Sequence, residues 1–135
     1  MEVAIRKSEN GEVHMSSRMG VLPIRYHNLE KIFGKPHDRN IDETIKTKWH
    51  FTISWIDNGM EVADSVVTLY DYYDSDRLRG EFYIGGHNGI ALEVAYALLD
   101  DVNSTPDNIL TDKVKAKLME IGKINFPHIW EDCNA

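Results

Sequence analysis

Hydrophobic and polar residues alternate most clearly from residue 47 to residue 57. Large apolar side chains occupy every second position of this stretch, at Trp49, Phe51, Ile53 and Trp55. A period of two is typical of a strand that buries one face and leaves the other in water. Asn58-Gly59 follows at once and predicts a type I′ turn into a return strand. A third strand is predicted at 81–86, "EFYIGG", so the three strands are expected to form an antiparallel meander over about 47–85.

A second pair of short alternating segments lies earlier in the chain. Residues 3–7, "VAIRK", and 12–15, "EVHM", flank Asn10-Gly11. An Asn-Gly pair between two such segments is a strong cue for a two-residue hairpin turn. The pattern therefore predicts an N-terminal hairpin, followed by a loop at 16–20.

Three stretches show the spacing of an amphipathic helix. The first lies within 22–36, where Gly34 and Pro36 mark its end. The second begins after the glycines at 85–86, and its apolar stripe consists of Ile90, Val94, Ala97 and Leu98. The third lies within 109–122 and is expected to end at its final glycine. Apolar residues after it predict a tail that packs on the rest of the protein.

Together these elements predict an α+β fold, in which an antiparallel meander and an N-terminal hairpin carry helices on one face of the sheet. A chain of 135 residues has the size of one domain, so residues 1–135 are expected to form a single domain. The one cysteine, Cys133, excludes an intrachain disulfide and fits a reducing cytosol. No signal-peptide pattern and no apolar run of membrane-spanning length occurs in the sequence. The expected protein is cytoplasmic and makes no membrane contact.

Charge is distributed unevenly along the chain, although the net charge is only −7. Residues 57–112 hold twelve acidic and two basic residues, a net charge of −10. Such a segment repels nucleic-acid phosphates and attracts basic surfaces, so direct binding of nucleic acid is not expected. A solvated acidic loop is the simpler explanation of the same residues, because aspartate favours turns.

The acidic residues of the central hairpin and the loop after it form the first candidate site. They are Asp57, Asp64, Asp71, Asp74 and Asp76, with Tyr72 and Tyr73 as apolar anchors. Tyrosine is enriched at protein interfaces and often contributes strongly to binding. If these carboxylates gather on one surface, they would steer association with a basic host protein or nucleoprotein complex.

The segment "YIGGHNG" at 83–89 is the second candidate site. A strand, two glycines and a helix N-terminus can bind an anion, because unpaired amides and the helix dipole favour negative charge. The anion-binding residues would be Gly85, Gly86, His87 and Asn88. The segment lacks the Lys-Ser/Thr of a P-loop and the spacing of the dinucleotide fingerprint. A tight turn explains the same glycines, so both interpretations remain open at this stage.

The remaining patterns do not indicate catalysis, a metal or a cofactor. The six histidines show neither HExxH nor HxH spacing, and the acidic segment at 71–82 does not match the calcium loop of an EF-hand. His50, on the polar side of its strand, is expected to be solvated. The sequence therefore predicts no catalytic residue, no metal site and no cofactor, and the balance favours a non-enzymatic protein.

The motifs "FGKP", "TLYDY" and "IGGHN", within residues 26–88, resemble a pattern in small proteins of bacteriophages and mobile genetic elements. The resemblance implies a phage accessory protein that binds host machinery, and it identifies no catalytic residue. The expected function is inhibition of a host nuclease or defence complex, of the anti-CRISPR or anti-defence type, in the host cytosol. The alternative is a protein that binds or sequesters a nucleotide, or a small enzyme, through residues 85–88.

Overall fold

Antiparallel strands form one sheet in the computed structural model, which describes residues 1–13, 17–39, 45–72 and 81–133. The strands are β1 Glu2–Lys7, β2 Ser17–Leu22, β3 Asp38–Arg39, β4 Ile45–Asp57, β5 Met60–Tyr72 and β6 Phe82–Gly86. The helices are α1 Asn10–Val13, α2 Tyr26–Phe33, α3 Ile90–Leu98, α4 Asp112–Asn125 and α5 Pro127–Cys133. The strand order is β1-β4-β5-β6-β2, with β3 also paired to β4. The predicted α+β class is confirmed.

The long central hairpin of β4 and β5 is the one that the alternation predicted. Asp57 pairs with Met60 across the turn, and Asn58 and Gly59 have φ values of 52° and 80°. Positive φ at both central residues is the geometry of a type I′ turn, which asparagine and glycine adopt most readily. β6 pairs with β5 over Val67–Tyr70, so the three-stranded meander is confirmed.

The predicted N-terminal hairpin is wrong. Asn10 and Gly11 lie in the short helix α1, and β1 and β2 occupy opposite edges of the sheet. β1 pairs with β4 and β2 pairs with β6, so neither contacts the other as a hairpin partner. β2 also begins at Ser17, inside the segment predicted as a loop. An isolated two-stranded hairpin is marginally stable, whereas the edges of a larger sheet offer each strand a partner on a packed core.

The core lies between the helices and one face of the sheet, which we call the inner face. The alternating apolar residues of β4 point into it and are buried: Trp49, Phe51, Ile53 and Trp55. Phe33 of α2 packs on Phe51 with ring centroids 5.0 Å apart. α3 packs against β5 and β6, and α4 receives a hydrogen bond from Trp55. Helices α2, α3 and α4 therefore cover one face, as predicted, while α1 lies against the other.

The end of α4 differs from the prediction, because the helix runs past Gly122 to Asn125. A Cβ atom at Gly122 would lie 2.5 Å from the indole Nε1 of Trp55. The glycine thus allows close packing of the helix on the indole ring, and it does not end the helix. After α4, Ile129 of α5 is buried, which confirms that the tail packs on the rest of the protein.

Candidate functional site

The outer face of the central hairpin, opposite the helical core, carries the polar residues of β4. His50, Thr52 and Ser54 are only 2%, 0% and 7% exposed, so the prediction that this side of the strand is solvated is wrong. The segment that leads into α1 lies against it. The Ser8 hydroxyl is 2.9 Å from the Thr52 hydroxyl, and the Ser8 N–H donates to the His50 carbonyl at 3.1 Å. The buried hydroxyls are tolerated because they are hydrogen-bonded.

Glu12 of α1 fixes this segment to the outer face. Its carboxylate accepts two hydrogen bonds from the Arg6 guanidinium, at 2.5 and 2.6 Å, and one from the Thr52 hydroxyl at 3.2 Å. The backbone N–H of Glu9 donates a further bond at 2.8 Å. These bonds, with that from Arg6 as the largest cause, lower the pKa of Glu12 to about 2. The carboxylate is therefore ionised at neutral pH and holds the Arg6 guanidinium.

Two further carboxylates, Glu61 and Asp64 of β5, lie beside the Arg6–Glu12 pair. The hydrogen bond to Glu12 is the largest cause that raises the pKa of Arg6, and the charges of Glu12, Glu61 and Glu9 act in the same direction. Partial desolvation, and then the charges of Glu61 and Glu12, raise the pKa of Asp64, whose residue as a whole stays exposed. We call Glu9, Glu12, Glu61, Asp64 and Arg6 the acidic patch; four carboxylates and one guanidinium give it a formal charge of −3. Among the described residues, neither Glu61 nor Asp64 forms an ion pair with a lysine or arginine.

The predicted acidic contact residues do not all lie on this surface. Asp64 belongs to the acidic patch, and Asp57 is half-buried at the end of β4. Asp71 is 1% exposed, because β5 continues through it to Tyr72 where the sequence predicted a turn. The prediction that Asp71 lies on an accessible acidic surface is therefore wrong. Three of the predicted residues lie outside the described part of the chain, and their role stays a prediction: Tyr73, Asp74 and Asp76.

Gly85 and Gly86 lie inside strand β6, and not in a loop after it. Both are paired with β5 on one side and with β2 on the other. A Cβ atom at Gly85 would lie 2.3 Å from the Thr68 hydroxyl, and one at Gly86 would lie 2.2 Å from the Ala91 Cβ. Close packing therefore explains both glycines, and their backbone groups lie in the sheet ladders.

The next two residues of the predicted anion site also have structural contacts. The His87 Nε2–H donates to the Glu12 carbonyl at 2.6 Å, which ties the end of β6 to α1. The Asn88 side-chain oxygen accepts from the N–H of Ile90, the first residue of α3, at 3.0 Å. This amide is one of those that an anion at the helix N-terminus would need. The four residues of the predicted anion site therefore lie next to one another, but their contacts are with other groups of the protein.

Replacing Gly86 with alanine is expected to lower the free energy of unfolding by about 1–3 kcal/mol, since the added methyl group would overlap Ala91 and approach the Val66 carbonyl at 3.0 Å. Chemical denaturation measures the loss. Gly89→Ala is the matched control, because Gly89 has φ of −65° and open space around its Cβ position. The control should change stability by no more than about 1 kcal/mol. Equal stability of the Gly86 variant and the native protein would contradict the close packing.

A second polar centre lies where β3 meets β4. The backbone N–H of His50 donates to His37 Nδ1 at 3.0 Å, and the two imidazole rings lie 4.8 Å apart in an edge-on arrangement. Burial is the main cause that lowers the pKa of both histidines, that of His37 to about 4. Both rings are therefore neutral at pH 7, and the His50 Nε2–H donates to the Asp38 carboxylate at 3.0 Å.

The other ring nitrogen of His50 has no hydrogen-bond partner within the ranges that the structure describes. A neutral imidazole with a free nitrogen, oriented by a carboxylate, has the chemistry of a general base. A base must reach the proton that it removes, however, and His50 is only 2% exposed. The arrangement therefore fits a structural role, in which His50 and His37 attach β3 to the sheet.

Neither the contact between the two histidines nor the role of Glu12 is predicted from the sequence. A signal for the first was present in β4, where the outer positions 50, 52 and 54 are His, Thr and Ser. Such neutral groups can be buried when other segments supply their hydrogen-bond partners, as Asp38, Glu12 and Glu61 do here, whereas a solvated strand more often carries Lys or Glu. No such signal was present for Glu12, because the pattern placed this residue in the second strand of a hairpin that does not form.

No protein-family model, curated protein or solved structure matches the chain. Within the described ranges, no three His, Cys, Asp or Glu side chains are grouped as the ligands of a metal ion would be. No helix in those ranges combines the length and the hydropathy of a bilayer-spanning segment. The function is therefore inferred from the acidic patch and its surroundings.

Proposed function

We propose that the chain is a non-enzymatic protein that binds a basic protein surface through its acidic patch. The observation that carries this proposal is the pair of carboxylates Glu61 and Asp64. Both residues are exposed, and the nearby Arg6 guanidinium is already held by Glu12. The patch therefore keeps a negative charge that the lysines or arginines of a partner would neutralise.

Apolar side chains at the same end of the hairpin would supply the part of the interface that excludes water. Met60 is 71% exposed and Val62 is 39% exposed, and both lie on β5 next to the two carboxylates. Interfaces combine apolar anchors of this kind with a charged rim that sets register and association rate. This combination supports binding of a folded protein more than binding of a small ion.

A groove that normally holds nucleic acid is a suitable partner surface. Such a groove presents lysines and arginines to phosphates, and a surface rich in carboxylates competes for the same cations. We propose as partner a host nuclease or a nucleoprotein defence complex, inhibited in the host cytosol by a phage accessory protein. The resemblance of the motifs at 33–36, 68–72 and 84–88 supports this class of protein.

Reversing the two exposed charges, with Glu61→Lys and Asp64→Lys together, is expected to slow association with such a partner at least about 10-fold at low salt. The tagged protein is used to capture nucleic-acid-binding proteins from a bacterial lysate, and association rates are then measured with the purified partner. Asp107→Lys with Glu120→Lys is the matched control, because it makes the same change of net charge at exposed positions outside the patch.

Equal association rates for the two double variants would contradict the proposal, because they would show that only net charge matters. Duplex DNA should also compete with the protein for the captured partner, and failure to compete would exclude the nucleic-acid groove as its binding surface. A nucleoside triphosphate that raises the melting temperature would instead favour the alternative of nucleotide binding at residues 85–88, by mass action on the folded state.

A further inference from the structure

The flank of β5 near the turn is not covered by another strand in the described residues. β4 pairs with β5 along its length, but β6 pairs with it only over Val67–Tyr70. Ser65 and Val66, which come just before that pairing, are 8% and 7% exposed. The accessible part of the edge is therefore Met60–Asp64, about 17 Å of strand.

A free strand edge presents unpaired backbone N–H and C=O groups to any extended chain that approaches. Proteins usually protect such an edge with charges, and here the charges are the carboxylates Glu61 and Asp64. A second copy of this chain would bring the same carboxylates to the edge, so like charges oppose self-association. An extended segment that carries Lys or Arg would instead be attracted to the edge, because its charges are opposite to those of the carboxylates.

The shape of the edge favours the same kind of occupant. The register between β4 and β5 shifts near Trp55 and Ile56, which leaves Val62 as the extra residue of a bulge. A bulge bends and twists its strand, so a flat, rigid sheet cannot continue regularly from it. A flexible peptide segment can follow the bend, and Met60 and Val62 offer it exposed apolar contacts.

We infer that the edge Met60–Asp64 pairs with an extended basic segment of the partner protein, which adds a strand to the sheet. Backbone hydrogen bonds supply the pairing, and basic side chains on one side of the added strand lie near Glu61 and Asp64. This inference rests on the proposed function, because it uses the same carboxylates. It goes further in stating that the partner is recognised through its backbone as well as its charge.

The test uses a seven-residue peptide of alternating lysine and valine and the native protein labelled with ¹⁵N. Binding is expected to shift the amide resonances of Met60–Asp64 more than those of β1, which lies on the far side of β4. Two further peptides carry N-methyl groups on alternate amides, one set for each edge of the peptide strand, and they keep the full charge. One of the two should bind at least about 10-fold more weakly than the parent, since it cannot donate the ladder hydrogen bonds.

Equal affinity of all three peptides would overturn strand pairing, while loss of binding with Glu61→Lys and Asp64→Lys would still support the acidic patch. Conversely, sensitivity to N-methylation that persists in this double variant would support strand pairing and contradict the role of the patch. No resonance shift at about 1 mM parent peptide would overturn the inference. So would dimerisation of the native protein that is lost in the double variant, because the edge would then be occupied by a second copy.

Discussion

Trp55→Ala is expected to lower the free energy of unfolding by about 3–5 kcal/mol. The indole ring is fully buried, and its ring centroid lies 5.4 Å from that of Phe126. Its Nε1–H donates to the Leu118 carbonyl at 3.0 Å, and Gly122 lacks a side chain where the ring passes α4. Removing the ring leaves a cavity between the sheet, α4 and Phe126, and this cavity cannot close without movement of α4.

Urea denaturation at neutral pH measures the change. Small domains have only about 5–15 kcal/mol of stability, so the alanine variant could be largely unfolded. Trp55→Phe is therefore included; it keeps most of the apolar volume, loses the N–H donor, and should cost about 1–3 kcal/mol. Tyr96→Ala is the control for removal of an aromatic ring, and its effect should be within about 1 kcal/mol because Tyr96 is 50% exposed. A loss below about 1 kcal/mol for Trp55→Ala would contradict the packing described for α4.

Acidification from about pH 6.5 to about pH 4 is expected to lower the free energy of unfolding by about 2–3 kcal/mol through His37 alone. The ordinary pKa of histidine is 6.5, and in the folded protein that of His37 is lowered to about 4. The unfolded chain therefore binds more protons between these values, so the stability contributed by neutral His37 is complete above pH 6.5 and is lost as pH falls toward 4. Partial exposure and solvent screening keep the effect below the full value of the shift.

The geometry explains why the neutral ring is required. His37 Nδ1 accepts the N–H of His50, and a proton on that nitrogen would remove the acceptor and place charge beside a second buried imidazole. His50, whose pKa is also lowered, acts in the same direction, although Asp38 beside it favours the charged form and Lys7 and Lys48 oppose it. The raised pKa of Asp64 acts in the opposite direction at lower pH, since protonation of that carboxylate is favoured in the folded state.

Urea midpoints over a pH series check this prediction, and NMR titration of the imidazole resonances assigns it to a residue. His37→Asn keeps an acceptor near Nδ1 and removes the titration, so its stability should depend less on pH between about 6.5 and 4.5. His27→Asn, at an exposed position, is the control and should retain the full dependence. The pKa of Glu12 is lowered from 4.5 to about 2 on folding, so the stability that depends on its ionised form is lost only below pH 4.5. The pH range above 4.5 therefore reports on the histidines without a contribution from Glu12. A flat stability profile of the native protein above pH 4.5 would contradict the neutral histidine pair.

Local sequence signals predicted the parts of the fold whose contacts are themselves local. Asn58-Gly59 and the alternation before it gave the central hairpin, because turn and strands are adjacent in sequence. Gly34, with φ of 81°, ends α2 as its position predicted. Asn10-Gly11 carries the same local cue as the central turn but lies in α1, because β1 and β2 find their partners far along the chain. A periodic pattern within a segment does not indicate which distant strand the segment will pair with.

The candidate site was predicted only in part for the same reason. Asp64 could be selected from the acidic segment, but its neighbours Arg6 and Glu12 come from a region whose pairing was predicted incorrectly. Asp71 looked exposed because aspartate favours turns, and the strand nevertheless extends through it. Gly85 and Gly86 resembled a ligand-binding loop because glycine lets the backbone approach a ligand closely. Glycine also allows close packing within the protein, and here the atoms packed against the two glycines are those of Thr68 and Ala91.

The placement of β1 and β2 at the two edges has a consequence for how the chain is made. Both strands precede β4 and β6 in sequence, so a ribosome releases them long before the partners against which they will lie. Closure of the sheet must therefore wait for residue 86, and the contacts that complete it are widely separated in sequence. Folding of this kind is slow relative to a helical bundle of the same size. β1 can pair as soon as β4 has been made, whereas β2 stays unpaired until synthesis has passed β6, the third strand of the meander.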